Sequence, residues 1–379
     1  RVGIRRRRGL GQLLRGGDMA ARKRFVTPIQ STDTGERARR ATLKAAATAF
    51  QTPTLSASLW QIVNSFVPLV ALVVAMFYSL AIEAWWGYGV TLALAVLAGG
   101  FVVRIFIIQH DCGHGSFFRA PWANELTGLL CGVVTFTPFA NWRRQHAGHH
   151  AHWNNLDHRA TGADIYSTCM TVEEYAAMTP SERWRYRLIR HPLIYLLMLP
   201  PLVFLVIYRL PFDTPKAWRR ERLSVHLNNA MILAAFVTLG LTAGFANAAL
   251  VYIPIVASAA IVGVFLFSIQ HRFEDTHWTR GGDWNAVDAS MKGSSFFRLP
   301  RLLQWFTGNI GYHHVHHLNA RIPNYRLQAC HEATPAMHAA PVLTLRKAFG
   351  NARAALWDES GHRMISFGDA EAAILRAAA

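Results

Sequence analysis

Eighteen histidines stand in this 379-residue chain, and nine of them fall into three groups, eight of the nine at helical ligand spacing. The first reads His110-Asp-Cys-Gly-His114. An i, i+4 spacing puts both imidazoles on one helical face, a turn apart. The second is His146-Ala-Gly-His149-His150, and the third is His313-His314-Val-His316-His317. In both, histidines at i, i+3 and i+4 converge on one face. Neutral imidazole is the commonest metal ligand in proteins. Eight clustered imidazoles exceed what one tetrahedral or octahedral ion uses, so the spacing implies two ions. Imidazole alone does not select among zinc, copper, iron and nickel.

The elements that must position these groups are apolar. Hydrophobic residues make up 52% of the chain, charged residues 16%, and mean hydropathy is +0.16. These values exclude a disordered chain, a coiled coil and a disulfide-stapled mini-protein, and point to an integral membrane protein. Residues 59–82 and 88–108 are each long enough for a bilayer core, which takes about 20 residues. They are joined by a tip rich in tryptophan and free of Lys and Arg. Residues 229–246 and 248–269 form a second such hairpin. Between the hairpins, residues 126–139 are too short to span and read as an interfacial or re-entrant helix. Residues 193–208 are apolar but carry Pro200-Pro201, and a proline pair breaks a helix. Basic residues flank this segment on both sides, so it is read as a re-entrant bend.

The positive-inside rule then places the N-terminus, the central loop and everything after residue 270 on the cytoplasmic side. All three histidine groups fall there, next to the bilayer. The expected fold is an all-α membrane protein: four transmembrane helices in two hairpins, interfacial or re-entrant helices, and a cytoplasmic helical cap holding a di-metal site.

Formal net charge is +17, and residues 1–50 hold thirteen Lys/Arg against three Asp/Glu. A basic head of this kind suits RNA or an anionic membrane surface, and the apolar segments favour the membrane. Residues 1–50 are expected to be a disordered cytoplasmic arm; Met19 is a candidate natural start, with 1–18 an extension. The cysteines Cys112, Cys131, Cys169 and Cys330 form no C-x-x-C pair, which argues against a zinc ribbon or a Cys-ligated iron–sulfur cluster. A lone histidine is usually a solvated or supporting polar residue. His152, His158, His191, His226, His277, His314, His331, His338 and His362 take that reading.

Together with HDCGHGSFF, TGADIYSTCMTVEEY, FSIQHRFEDTHW and WFTGNIGYHHVHHLNARIPNYRL, the three boxes make the chain resemble bacterial membrane fatty-acid desaturases. It is most similar to the acyl-lipid Δ12/ω6 branch, over about residues 59–367. The resemblance implies a non-haem centre of two iron ions and O2-dependent insertion of a cis double bond into a fatty-acyl chain. It implies His110, His114, His146, His149, His150, His313, His316 and His317 as catalytic metal ligands. A ninth ligand is expected just after the fourth span, where His271 fits and His277 is the rival. The substrate would be a fatty-acyl lipid or acyl thioester in the bilayer, with no nucleic acid partner. The location would be the bacterial inner membrane, with a desaturase domain over 51–367 and a tail over 368–379.

The chemistry agrees. An unactivated methylene has neither charge nor an acidic proton, so side chains alone cannot oxidise it. Electrons must come from a separate donor such as ferredoxin with a reductase, because the chain has no Gly-rich nucleotide fingerprint and no Rieske-type pairing. Asp111, Asp157, Asp164, Glu274 and Asp275 are candidates for orienting the imidazoles. Trp142, Arg143 and Arg144 are candidates for an acyl headgroup site or an interfacial anchor. The alternative activity is a related di-iron hydroxylase of an alkyl, carotenoid or sphingoid substrate. A midplane metal transporter or b-type cytochrome fits less well, since the histidines follow the spans rather than face each other within them.

Overall fold

The computed structural model describes residues 30–82, 84–159 and 166–378. The arm over 1–29, Glu83 at the first hairpin tip and Asp164 lie outside the described residues. The chain divides into two units, residues 1–39 and 40–379. The stretch 1–50 expected to be disordered is not so throughout: a helix α1 covers Gln30–Thr48, and in the second unit its Leu43 and Ala47 are buried.

Four long helices can cross a membrane by length and apolarity: α2 (Leu55–Leu80), α3 (Trp85–His114), and two later ones. α3 has 30 residues, about 45 Å at 1.5 Å per residue. That exceeds the ~30 Å hydrocarbon core, so its last turns can reach out of the membrane. There it carries the first histidine box. Gly115, at φ +67°, ends it in the left-handed conformation. α4 (Pro121–Val134) and α5 (Phe139–His152) follow, and α5 carries the second box. α6 (Val172–Ala176) and α7 (Pro180–Arg190) each start with a capping box, on Thr171 and Thr179.

The proline pair does not break the chain as expected. A π turn over Ile194–Met198 runs into α8 (Leu199–Leu205), and Pro200 and Pro201 sit in its first turn, where backbone donors are not needed. The 54° bend falls earlier, between Arg190 and Ile194. Pro192 causes it: the residue before a proline is pushed out of the helical region, and His191 is extended at ψ 128°.

The second hairpin is α9 (Arg219–Ala243) and α10 (Phe245–Ile269), turning at Gly244 (φ +90°). α9 begins ten residues before the apolar run does, because Arg219–Asn228 continues it in a polar, basic turn sequence. α3 is the central element, packing on α2, α4 and α10. Small residues Ala95, Ala98, Ala259 and Ala260 are buried along these helices, as close helix approach in a membrane requires.

The remainder forms the cap: α11 (Ala286–Gly293), α12 (Arg301–Phe306), α13 (His313–Leu318), α14 (Asn324–Ala333), α15 (Leu345–Asn351) and α16 (Phe367–Ala378). The cap also holds short strands. β1 (Met170–Thr171), β4 (Leu356–Asp358) and β5 (Arg363–Ile365) make one sheet; β2 (Phe296–Phe297) pairs in parallel with β3 (Val342–Leu343). These ties bring the C-terminal part back against the segment after α5. The fold is otherwise helical, as the sequence implies. α16 occupies most of the stretch read as a tail and buries Ala370 beside Tyr175.

Candidate metal centre

Three helices and one helix exit deliver the imidazoles. α3 supplies His110 and His114, α5 supplies His146, His149 and His150, and α13 supplies His313, His316 and His317. His271 stands just past α10. In one group, ligand nitrogens of His110, His114, His146, His150 and His316 all lie within 4.8 Å of one another. In a second, those of His149, His271 and His317 do the same. His313 touches the second group, its Nε2 lying 2.9 Å from Nε2 of His271. The groups are continuous: Nε2 of His150 is 3.1 Å from that of His146 and 3.0 Å from that of His316, and the His150 and His317 rings stack at 4.3 Å.

The residues present fit a metal site. Nε2 of His114 and of His317 are buried without a hydrogen-bond partner. A buried polar atom without a partner is costly, and a cation removes that cost. Burial, then the crowding of neighbouring imidazoles, holds His146, His150, His271, His313, His316 and His317 well below the ordinary histidine range. They are therefore neutral, the ligating form.

Of the carboxylates read as orienting groups, Asp111 is the one that touches a box histidine among the described residues. Its Oδ1 is 3.3 Å from Nδ1 of His110. Its Oδ2 accepts from the Asn324 backbone N–H at 2.7 Å and side-chain amide at 2.8 Å. Asn324 exchanges two hydrogen bonds with Gln61 of α2. Asp157 instead pairs with Arg280 at the surface, and Glu274 and Asp275 are exposed, because the chain turns them outward after His271. Arg143 pairs with Glu125. Arg144 pairs with Glu221 and lies over the Trp218 ring. Trp142 does more than anchor: its ring stacks on His146 at 4.7 Å. Trp153, which the spacing did not single out, packs 3.9 Å from His271 and donates to the Gly293 carbonyl. Apart from His271, the histidines read as lone ones stay outside both groups among the described residues. His314 contacts His331, Nε2 to Nδ1 at 2.9 Å, and His277 is in neither group.

An apolar chamber of about 440 Å³ runs from the imidazoles between α3, α8 and α10. His110, His146, His149 and His313 form part of its wall, with Phe106, Phe204 and Phe267 among the apolar lining. Trp142, Gln145 and Asp213 also line it. An alkyl chain can lie here with a methylene against the nitrogen cluster.

Four span-capable helices, a polyhistidine pocket and an apolar chamber opening on it define a helical membrane oxidoreductase. The chain belongs to the fatty acid desaturase family, whose profile matches residues 83–346. It is 42% identical to a Bacillus subtilis (strain 168) protein named fatty acid desaturase, over 84% of this chain and 88% of that one. A Synechocystis sn-1 oleoyl-lipid 12-desaturase is 26% identical over 62% of this chain and 66% of its own length. A Synechocystis sn-1 acyl-lipid omega-3 desaturase (ferredoxin) is 28% identical over 69% and 71%.

Proposed function

We propose that this desaturase inserts a cis double bond into a fatty-acyl chain of a lipid or thioester, using O2 and two non-haem irons. The irons would be held by His110, His114, His146, His149, His150, His271, His313, His316 and His317. The observation that carries the reading is the chamber whose apolar wall ends on four of these imidazoles. Bound iron supplies the redox capacity to turn O2 against an unactivated C–H, which side chains lack.

The chain's own residues do the rest. Phe106, Phe204 and Phe267 exclude water from the alkyl segment and fix it beside the cluster. Trp142 holds the plane of His146. Asp111 fixes the Nδ1–H tautomer of His110 and leaves its Nε2 free to ligate. Two electrons come from a separate donor such as ferredoxin with its reductase; the name of the Synechocystis omega-3 relative supports that class. The positive-inside pattern supports an inner-membrane location with the cluster on the cytoplasmic side.

Expression in a host without polyunsaturated lipids tests the reading. Fatty acids two hydrogens lighter should appear, and purified protein should hold close to two irons per chain. A product one oxygen atom heavier would favour the hydroxylase. One zinc and no iron would overturn the centre. Reporter tags at residues 216–221 and after the C-terminus should both read cytoplasmic; a periplasmic signal from either would overturn the orientation.

A further inference from the structure

Away from the imidazoles, a crevice of about 830 Å³ lies between α2 and α9, floored by α10. α2 and α9 each pack on α10 but hardly touch one another. The crevice is separate from the chamber at the histidines: Val102 and Val256, which stand between the two, are only 4% and 3% exposed. Its open side bears Val70 and Leu233, 60% and 62% exposed, and faces bilayer hydrocarbon. The lining is apolar except for Arg209 and Asn229 at one end and Tyr252 of α10. Asn229 stands where the polar first turns of α9 give way to its apolar run. This end lies on the side of the imidazoles, since Ser224 of α9 accepts from the Ala140 backbone N–H of α5. From Asn229 to Leu239, both in the wall, α9 rises about 15 Å. That is half of the ~30 Å hydrocarbon core, the depth of one leaflet.

Arg209 is held in place by three segments. Its guanidinium donates to Asn228 and Asn229, each at 3.0 Å, and to the Phe136 carbonyl. It also lies over the Phe136 ring, 5.6 Å from the centroid. Phe136 is fixed at φ +56°, a conformation that bulky residues rarely adopt. Every one of these partners is a neutral group, and no carboxylate pairs with Arg209 among the described residues. A cation at the edge of hydrocarbon is costly without a counter-charge, and a basic pocket between spans suits a lipid phosphate.

We propose that the crevice holds one phospholipid, distinct from the acyl substrate, with an acyl chain between α2 and α9 and its phosphate at Arg209. The volume lies in the roughly 300–1,000 Å³ range of ligand sites. A second copy of the chain fits less well. α2 carries no acidic residue and α9 carries only Glu221, which is paired with Arg144, so a copy docked through these helices brings no free anion to Arg209. The lipid completes the packing of α2 against α9 that the helices do not make themselves. This site serves the scaffold, so it stands or falls independently of the reaction at the imidazoles.

Native mass spectrometry of the full chain, purified in mild detergent, tests this. Wild type should retain one phospholipid per chain. After delipidation it should bind phosphatidylglycerol about tenfold or more tighter than a diacylglycerol with the same chains, because only the former carries a phosphate. Arg209→Gln should lose that preference and Arg209→Lys should keep most of it. Because Arg209 also ties three segments together, Ala235→Trp is the second variant. It fills the crevice six residues beyond Asn229 and should block binding with Arg209 intact. Added phosphatidylglycerol should raise the Tm of wild type and leave that of Ala235→Trp unchanged. Three results would overturn the proposal: no phospholipid on wild type, equal affinity for phosphatidylglycerol and diacylglycerol, or a graded shell of many lipids that Ala235→Trp does not alter. A dimer that Ala235→Trp dissociates would assign the crevice to a second copy instead.

Discussion

Nε2 of His271 lies 2.9 Å from Nε2 of His313, although the two residues belong to different helix ends and different sequence neighbourhoods. Two buried nitrogens at that separation share one proton or face one cation. His271→Ala should therefore lose activity and a measurable part of the bound iron. His277→Ala should keep both, because His277 stands outside the nitrogen groups. Metal analysis of the purified variants decides: an iron-replete, active His271→Ala enzyme would remove His271 from the ligand set.

Asp111 links His110 to Asn324 and Gln61, so a carboxylate on α3 is fixed by two distant segments. Asp111→Ala frees His110 to rotate and leaves the Asn324 donors buried. Iron affinity should fall by about 10–100-fold, the usual cost of losing such a partner. Asp157→Ala removes only an exposed pair with Arg280, worth about 0–1 kcal/mol, and should leave iron binding unchanged. Chelator competition on both proteins separates them; equal affinities would show that Asp111 does not orient His110.

How much could be read from the chain follows from the range of each interaction. The boxes and the hairpins repeat within a few residues, so periodicity and hydropathy expose them. His271 lies beside the boxes because the end of an apolar run fixes its depth. The bend falls at His191 and not at the proline pair, because a proline acts on the residue before it, whereas Pro200 and Pro201 fall in a first helical turn that tolerates them. The Asp111–Asn324–Gln61 chain joins positions more than two hundred residues apart, and no local pattern signals it. The chambers, and the way Trp142 and Trp153 brace the imidazoles, need the packing of α3, α5, α8 and α10 and are invisible in one dimension.

Gly128 of α4 lies against Phe139, the buried first residue of α5. A Cβ at position 128 would meet the Phe139 ring at 2.3–2.6 Å. Phe139 is enclosed and opens the helix that carries three ligands, so the ring cannot move without moving them. Gly128→Ala should destabilise by about 1–3 kcal/mol, the usual cost of overpacking, and lower iron occupancy with it. Gly350→Ala, where a Cβ meets nothing within 4 Å, should leave both unchanged. Melting curves and iron content on the same preparations test the coupling; a Gly128→Ala protein with wild-type Tm would show that α4 and α5 can part freely.

His331 of α14 sits beside His314 of α13, His338 and Glu332, packed on Phe296 and Tyr312. Burial, then the charge of His338, pushes its pKa from 6.5 down to about 4, against a smaller opposing pull from Glu332. In the folded protein it therefore stays neutral while the unfolded chain takes up a proton below 6.5. Where the unfolded state binds more protons, stability rises with pH. So stability attributable to His331 is fully present above 6.5, declines as pH falls toward 4, and changes little below that. Its share is about 1–2 kcal/mol after solvent screening. Replacing it by Gln, which has a side-chain hydrogen-bonding amide but does not titrate, should flatten the dependence of Tm on pH across that window. His314, held at about 3 chiefly by burial, and the clustered imidazoles that burial also holds low should supply the slope that remains. Thermal melts of wild type and His331→Gln in detergent, between pH 7 and pH 4, measure the difference. Parallel curves would show that His331 does not titrate with unfolding.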